Sequence, residues 1–218
     1  MIDISKKASY KTVSAHTESL LTEKRSKFFA NVFPVENEEE ALEKLAAVKK
    51  KYSDATHNVY AYVIDENNIF RYSDDGEPSG TAGMPVLDTI RKEGLVDVLV
   101  VVTRYFGGTL LGTGGLVHAY GSSARQGLID AGIVTRILCN IVEVKIDYNL
   151  SGKVQYKIAT DNYILEDTVY DNEVTFKICC RIEDTERLIA DMIDITNGRA
   201  RCETAPEPKY IDIGEYGK

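Results

Sequence analysis

A chain of 218 residues with 26 Lys+Arg, 34 Asp+Glu and 44% hydrophobic residues has the make-up of a folded protein of one large or two small domains. Its formal charge of −8 divides into −2 over residues 1–138 and −6 over residues 139–218, so neither part offers the broad basic face that sequence-independent nucleic-acid binding needs. No apolar run approaches the ~18 residues that span a bilayer, and the first residues lack the apolar core of a secretory signal, so a cytoplasmic protein without membrane contact is expected.

In chain order, residues 10–35 read as strand material, with an aromatic run at residues 27–35. Asn37 then opens a helix. Its side chain suits the cap, Glu40 completes an N-x-x-E capping pattern, and Lys49, Lys50 and Lys51 suit the negative end. Residues 59–64 and 69–72 read as two strands about a hairpin turn at residues 65–68, with His57 and Asn58 at the entry. Residues 73–83, SDDGEPSGTAG, form a loop of turn formers carrying Asp74, Asp75 and Glu77. Three close carboxylates suit Mg²⁺ or acid–base work. Equally, Asp side chains in such loops satisfy local backbone donors, and the architectural reading is favoured. Pro85 sits well as the first residue of a helix reaching about Lys92.

Residues 95–103, LVDVLVVVT, predict a central strand buried on both faces. The chain then loosens into glycines and re-forms as a helix over about residues 114–131. Six of the 16 glycines lie in residues 100–121: Gly107, Gly108, Gly112, Gly114, Gly115 and Gly121. A strand that feeds a helix through glycines suits an anion, because backbone N–H groups and the helix start can face it. The pattern is neither G-x-G-x-x-G nor G-x-x-x-x-G-K-[ST], and no lysine follows. A tight corner in which glycine only permits close packing explains the glycines as well. Gly121, Ala124, Gly127 and Ala131 give the helix a smooth flank for lying close to a sheet.

Residues 133–138 carry the chain to a second unit with the order βαββαβ. Ser151 and Asp184 or Thr185 are its expected helix caps, Asp171-Asn172 its turn, and residues 206–218 a loosely held tail. RNA-recognition modules share that order, but only Phe176 lies mid-strand, which makes no aromatic platform. Cys139, Cys179, Cys180 and Cys202 show no CxxC spacing and read as reduced, mostly buried thiols. No metal or other cofactor is expected.

SDDGEPSGTAGMPVL (residues 73–87) and VVTRYFGGTLLGTGGLVHAY (residues 101–120), with His57-Asn58 upstream, resemble the signature blocks of the IMPACT family, also called the YigZ family. The resemblance spans about residues 18–131, and the unit that follows is similar to the small second domain of the bacterial branch. It implies an α+β protein of two α/β sandwich domains. Residues 1–136 would be an IMPACT-like domain similar to elongation factor G domain IV, with a left-handed crossover. Residues 137–206 would be a ferredoxin-like domain similar to elongation factor G domain V, and residues 207–218 a tail. Eukaryotic members regulate translation by binding the activator of a starvation-responsive kinase, and bacterial members are suggested to bind ribosome or nucleic acid.

Three functions follow as expectations. The first is a binding protein in translation control. It contacts ribosome, RNA or a translation-related protein through His57, Asp74, Asp75, Glu77, Arg104, Tyr105, Gly107, Gly108, Gly112, Gly114 and Gly115. The second is a nucleotide- or phosphate-binding enzyme that holds phosphate on residues 107–115 and Mg²⁺ at Asp74, Asp75 or Glu77. The third makes both blocks architectural, with Arg104 paired internally to Asp74, Asp75 or Glu77. No catalytic residue is assigned.

Overall fold

Polar and apolar residues alternate early in the chain and form three strands in the computed structural model, which describes residues 7–213: β1 (Ser9–Val13), β2 (Thr17–Glu23) and β3 (Ser26–Pro34). β2 and β3 join through two residues, Lys24 and Arg25, at φ 45° and 69°. Such a hairpin turn normally selects asparagine and glycine. α1 (Glu38–Lys51) carries the predicted cap: Asn37 Oδ1 accepts the Glu40 N–H at 2.9 Å. The Glu40 carboxylate returns to the Glu36 N–H at 2.7 Å, one residue earlier than a capping box specifies.

β4 (His57–Ile64) and β5 (Ile69–Ser73) follow, joined by a turn in which Asn67 and Asn68 take positive φ. α2 (Gly83–Lys92) starts two residues before Pro85. β6 (Val98–Tyr105) starts later than the apolar run, because Asp97 at φ 55° breaks it. The Asp97 carbonyl accepts the Val35 N–H at 3.0 Å and the Thr12 hydroxyl at 3.1 Å, which ties that break into the fold. α3 (Gly112–Asp130) starts two residues before Gly114.

These strands pair antiparallel in the order β2-β3-β6-β4-β5, with β6 central. On one face Val98, Val100 and Val102 share a core with Val86, Leu87 and Ile90 of α2 and Leu116, Ala124 and Leu128 of α3. On the other, Leu99 and Val101 share a core with Ala41, Leu45 and Val48 of α1. The strand is buried on both sides, as its unbroken apolar run requires. α3 does lie close to the sheet: a Cβ at Gly127 would stand 2.9 Å from Val32 Cγ2 and 3.0 Å from Ala30 Cβ.

β7 (Ile133–Ile146) is one strand of 14 residues where a connector and a short strand were expected. It carries the chain from the unit of residues 10–135 into that of residues 136–212, which residues 7–9 join. There follow α4 (Ser151–Thr160), β8 (Ile164–Tyr170), β9 (Val174–Arg181), α5 (Thr185–Ile195), β10 (Arg201–Thr204) and β11 (Lys209–Ile213). The six-stranded sheet runs β1-β7-β9-β8, and β10 and β11 also pair with β7, so that within this unit β10-β7-β9-β8 lie side by side, antiparallel. Both helices cover one face, where Val154, Ile158, Leu188 and Met192 share a core with Val142, Val144 and Ile178. Phe176 is buried in that core, so it is no base platform.

The two expected caps of this unit are absent. The Ser151 hydroxyl donates to the Tyr148 carbonyl at 2.8 Å and that of Thr185 to the Arg181 carbonyl at 3.3 Å; no side chain caps α5. The expected tail is strand over Lys209–Ile213, and residues 214–218 lie outside the described residues. Cys139, Cys179 and Cys180 are free and buried, and burial pushes the Cys179 thiol up to about 11. The protein is thus α+β, with two antiparallel sheets and helices packed on each. Among the described residues no helix is long and apolar enough to cross a membrane.

Candidate functional site

Strand alternation sends neighbouring residues to opposite faces, and at the end of β6 it separates Arg104 from Tyr105. Arg104 turns toward α2 and α3. It stands in register between Phe28 of β3 and His57 of β4. Its guanidinium is inside the protein, with the side chain 6% exposed, rather than on the expected contact surface. Nη1 donates to Glu77 Oε1 at 2.5 Å, and the Glu77 side chain is 4% exposed. The Tyr120 hydroxyl donates to the same oxygen at 2.8 Å, and His57 Nε2 stands 3.8 Å from it. Burial, then the Glu77 carboxylate, raise the Tyr120 hydroxyl far above its ordinary pKa, so it stays a donor. The Phe28 and Phe106 rings lie on the guanidinium, each centroid 5.5 Å from Cζ. Arg104 Nε is buried without a partner among the described residues.

The loop before α2 is tied down by its own carboxylates. Asp74 Oδ1 accepts the N–H groups of Ala82 and Gly83 at 3.0 and 2.8 Å, and Oδ2 accepts that of Gly80 at 2.9 Å. Asp74 therefore does the work of a cap for α2 from eight residues upstream. Asp75 Oδ2 accepts the Asn58 N–H at 2.7 Å, Oδ1 pairs with Lys49 at 3.2 Å, and its carbonyl lies 2.8 Å from His57 Nδ1. The three carboxylates thus face three different sets of partners. Among the described residues no group of three His, Cys, Asp or Glu side chains is placed to hold a metal.

The glycines divide. Gly107 is pressed against the β2–β3 turn: a Cβ there would lie 2.1 Å from the Arg25 carbonyl carbon and 2.4 Å from the Ser26 nitrogen. Its N–H donates to Ser26 Oγ at 3.2 Å, the oxygen that also faces Arg104 Nη2 at 3.4 Å. Gly115 meets only Leu111, its Cβ position standing 3.1 Å from that of Leu111. Gly108, Gly112 and Gly114 are exposed, with nothing within 4 Å of an added Cβ. Tyr105 turns to the α1 face, and its hydroxyl donates to Asp54 at 2.8 Å.

Of the predicted residues, His57, Glu77 and Arg104 come together, Asp74 and Asp75 brace the loop around them, and Tyr105 lies on the far side of the sheet. Sequence reading missed Tyr120, Ser26 and Phe28. For Tyr120 the signal was a large polar ring on the small-faced side of a helix; for the other two the signal is register, which a sequence does not display.

The chain matches the Impact N-terminal domain over residues 24–128 and a domain of unknown function, DUF1949, over residues 144–199. It is 40% identical over 193 residues to IMPACT family member YvyE of Bacillus subtilis (strain 168), covering 88% of this chain and 89% of that protein. The chain belongs to the IMPACT family. Within the family it is also 41% identical over 108 residues to YigZ of Escherichia coli (strain K12), covering 48% of this chain and 53% of that protein. It is a bacterial YvyE/YigZ-type IMPACT member, with an Impact N-terminal domain followed by the DUF1949 domain. A crystal structure of a hypothetical protein is similar over 90% of this chain and 97% of its own, with a TM-score of 0.58 and 26% identity. The cluster of His57, Glu77, Arg104 and Tyr120 lies wholly within the stretch that matches the IMPACT domain.

Proposed function

We propose that this IMPACT-family chain is a binding protein of translation control, contacting ribosome, RNA or a translation-related protein. One observation carries the reading. The buried Arg104–Glu77–Tyr120 cluster and the Gly107 contact hold fast the base of a loop that turns apolar side chains outward, Phe106 at 47% and Leu110 at 84% exposure. Side chains displayed on a fixed base lose little freedom on docking, which favours recognition. The sheet order β10-β7-β9-β8 supports a ferredoxin-like second domain similar to elongation factor G domain V. We read the first domain as similar to domain IV of that factor.

Ribosome co-sedimentation at low salt, with Leu110→Ser beside the wild type, tests the proposal. Association that the substitution weakens is expected. Failure of the wild type to associate with ribosomes, RNA or any translation protein captured from extract would overturn it.

An alternative reading is an enzyme that holds a nucleotide or phosphate on residues 107–115. It draws support from the first turn of α3, which has neither a side-chain cap nor an acidic residue. It draws none for Mg²⁺ from Asp74 and Asp75, whose oxygens are bound to N–H groups and Lys49, and Glu77 Oε1 is held by Arg104 and Tyr120. A Mg²⁺-dependent thermal shift with nucleotides, lost in Asp74→Asn, would favour it.

A further inference from the structure

We infer that the cleft beside Tyr105 and Phe106 is a site for one nucleotide, with the base against the aromatic rings and the phosphate on Arg25 and Lys27. This deepens the binding reading and rests on its RNA branch. The cleft lies at the α1 face, next to the β2–β3 turn, and encloses about 430 Å³, a volume suited to a small ligand.

Its floor is aromatic. Phe29 and Tyr52 stack with centroids 5.6 Å apart, and Tyr105 meets both edge-on at 6.0 and 6.5 Å. Phe106 lines the same cleft, and its ring is steadied by the buried Arg104 guanidinium. Of these rings Phe106, 47% exposed, has the open approach that suits a nucleobase, because every base has a stacking face.

The cations at the rim are uncommitted. Lys49 and Lys51 are bound to Asp75 and Glu18. Arg25 and Lys27 have no carboxylate partner among the described residues. Arg25 also holds a left-handed backbone position that glycine would fill without strain, and Lys24 beside it does the same. Strain of that kind in an exposed, double-basic turn points to a use for the side chains. Arginine and lysine side by side suit a phosphate.

Asp54 completes the chemistry. One of its oxygens accepts the Tyr105 hydroxyl, and the other has no partner among the described residues. A carboxylate at that point suits ribose hydroxyls or an exocyclic amine. With Glu18 on the Tyr52 hydroxyl nearby, it disfavours an acidic peptide, which carries charge along its length. The ligand's phosphate and base are shared by a free nucleoside monophosphate and by an exposed nucleotide of single-stranded RNA.

The test is calorimetric titration of the full chain with AMP, GMP, a single-stranded oligoadenylate and a polyglutamate peptide. Phe106→Ser removes an exposed ring. Arg25→Gly removes a cation while relieving its backbone, so a purely structural role for Arg25 predicts no loss. Each substitution is expected to weaken nucleotide binding about tenfold, the size of one charge-assisted bond or one stacked base. The oligonucleotide's affinity should fall with salt at a slope of about −0.7, for the one phosphate held. Binding of the mononucleotides assigns the site to free nucleotides, and binding of the oligonucleotide alone assigns it to RNA. Three results would each overturn the proposal: no binding of any nucleotide at millimolar concentration, binding that both substitutions leave unchanged, or binding of the peptide alone. Ribosome association that persists alongside any of them would leave the broader binding reading standing.

Discussion

Gly107→Ala should damage the first unit more than any other single glycine change in the signature loop. The added methyl would sit 2.1 Å from the Arg25 carbonyl carbon, 2.2 Å from its oxygen and 2.4 Å from the Ser26 nitrogen. Those are backbone atoms of a two-residue turn, so no side-chain rotation relieves the overlap; the turn or the loop must move. Overpacking of this kind costs ~1–3 kcal/mol. Movement also breaks the 3.2 Å bond from the Gly107 N–H to Ser26 Oγ, worth about 1 kcal/mol. The sum is ~2–4 kcal/mol. Two neighbours serve as controls. Gly108 has positive φ but open space, so alanine there costs about 1–2 kcal/mol of backbone strain alone. Gly114 has ordinary φ, open space and a place in the first turn of α3, so alanine there gains up to ~1 kcal/mol. Urea unfolding followed by circular dichroism, with amide exchange read on β3 and β6, isolates the effect from the second unit. Gly107→Ala no worse than Gly108→Ala would refute the reasoning.

Arg104→Ala leaves Glu77 buried without its cation and should cost ~3–5 kcal/mol, while the double change Arg104→Met, Glu77→Leu should recover a large part, read by the same urea unfolding. Asp74→Ala removes the acceptor of three N–H groups at the start of α2 and should cost about 1–2 kcal/mol, with amide protection lost first at Ala82 and Gly83. The Glu36 N–H, aided by Lys44, holds the Glu40 carboxyl below its ordinary range. Its contribution to stability is therefore full above about pH 4.3, the unfolded value, and is lost as pH falls through the lower folded value. Glu40→Gln should flatten that part of the acid limb in thermal melts.

Local chemistry made part of this legible in the sequence. Asn37 and Glu40 announced a helix start, the run before Arg104 announced a strand covered on both faces, and the small flank of α3 announced close packing. All three depend on neighbours a few residues away. The site resisted for the opposite reason. Asp74 caps a helix eight residues downstream, Ser26 and Phe28 reach Arg104 only through strand register, and Tyr120 arrives from a helix on the far side of the glycine loop. Arg104 read first as a surface cation because nothing near it in sequence neutralises it; the architectural reading paired it with Asp74, Asp75 or Glu77, and its partner is Glu77, 27 residues upstream. The tail misled in the same way, since the partner of β11 is β7, whose residues lie more than sixty positions earlier.

The contact between Gly107 and the β2–β3 turn constrains its two sides unequally. Gly107 is fixed as glycine, because no side chain fits there. Arg25 meets it with its backbone carbon and oxygen, so its side chain is not needed for the join. Charge, length and stacking character at the rim can therefore be exchanged without disturbing the scaffold beneath. A fold wired in this manner can change what it recognises through mutations that its stability barely registers, with glycine or asparagine at the turn as the neutral ground through which such changes pass.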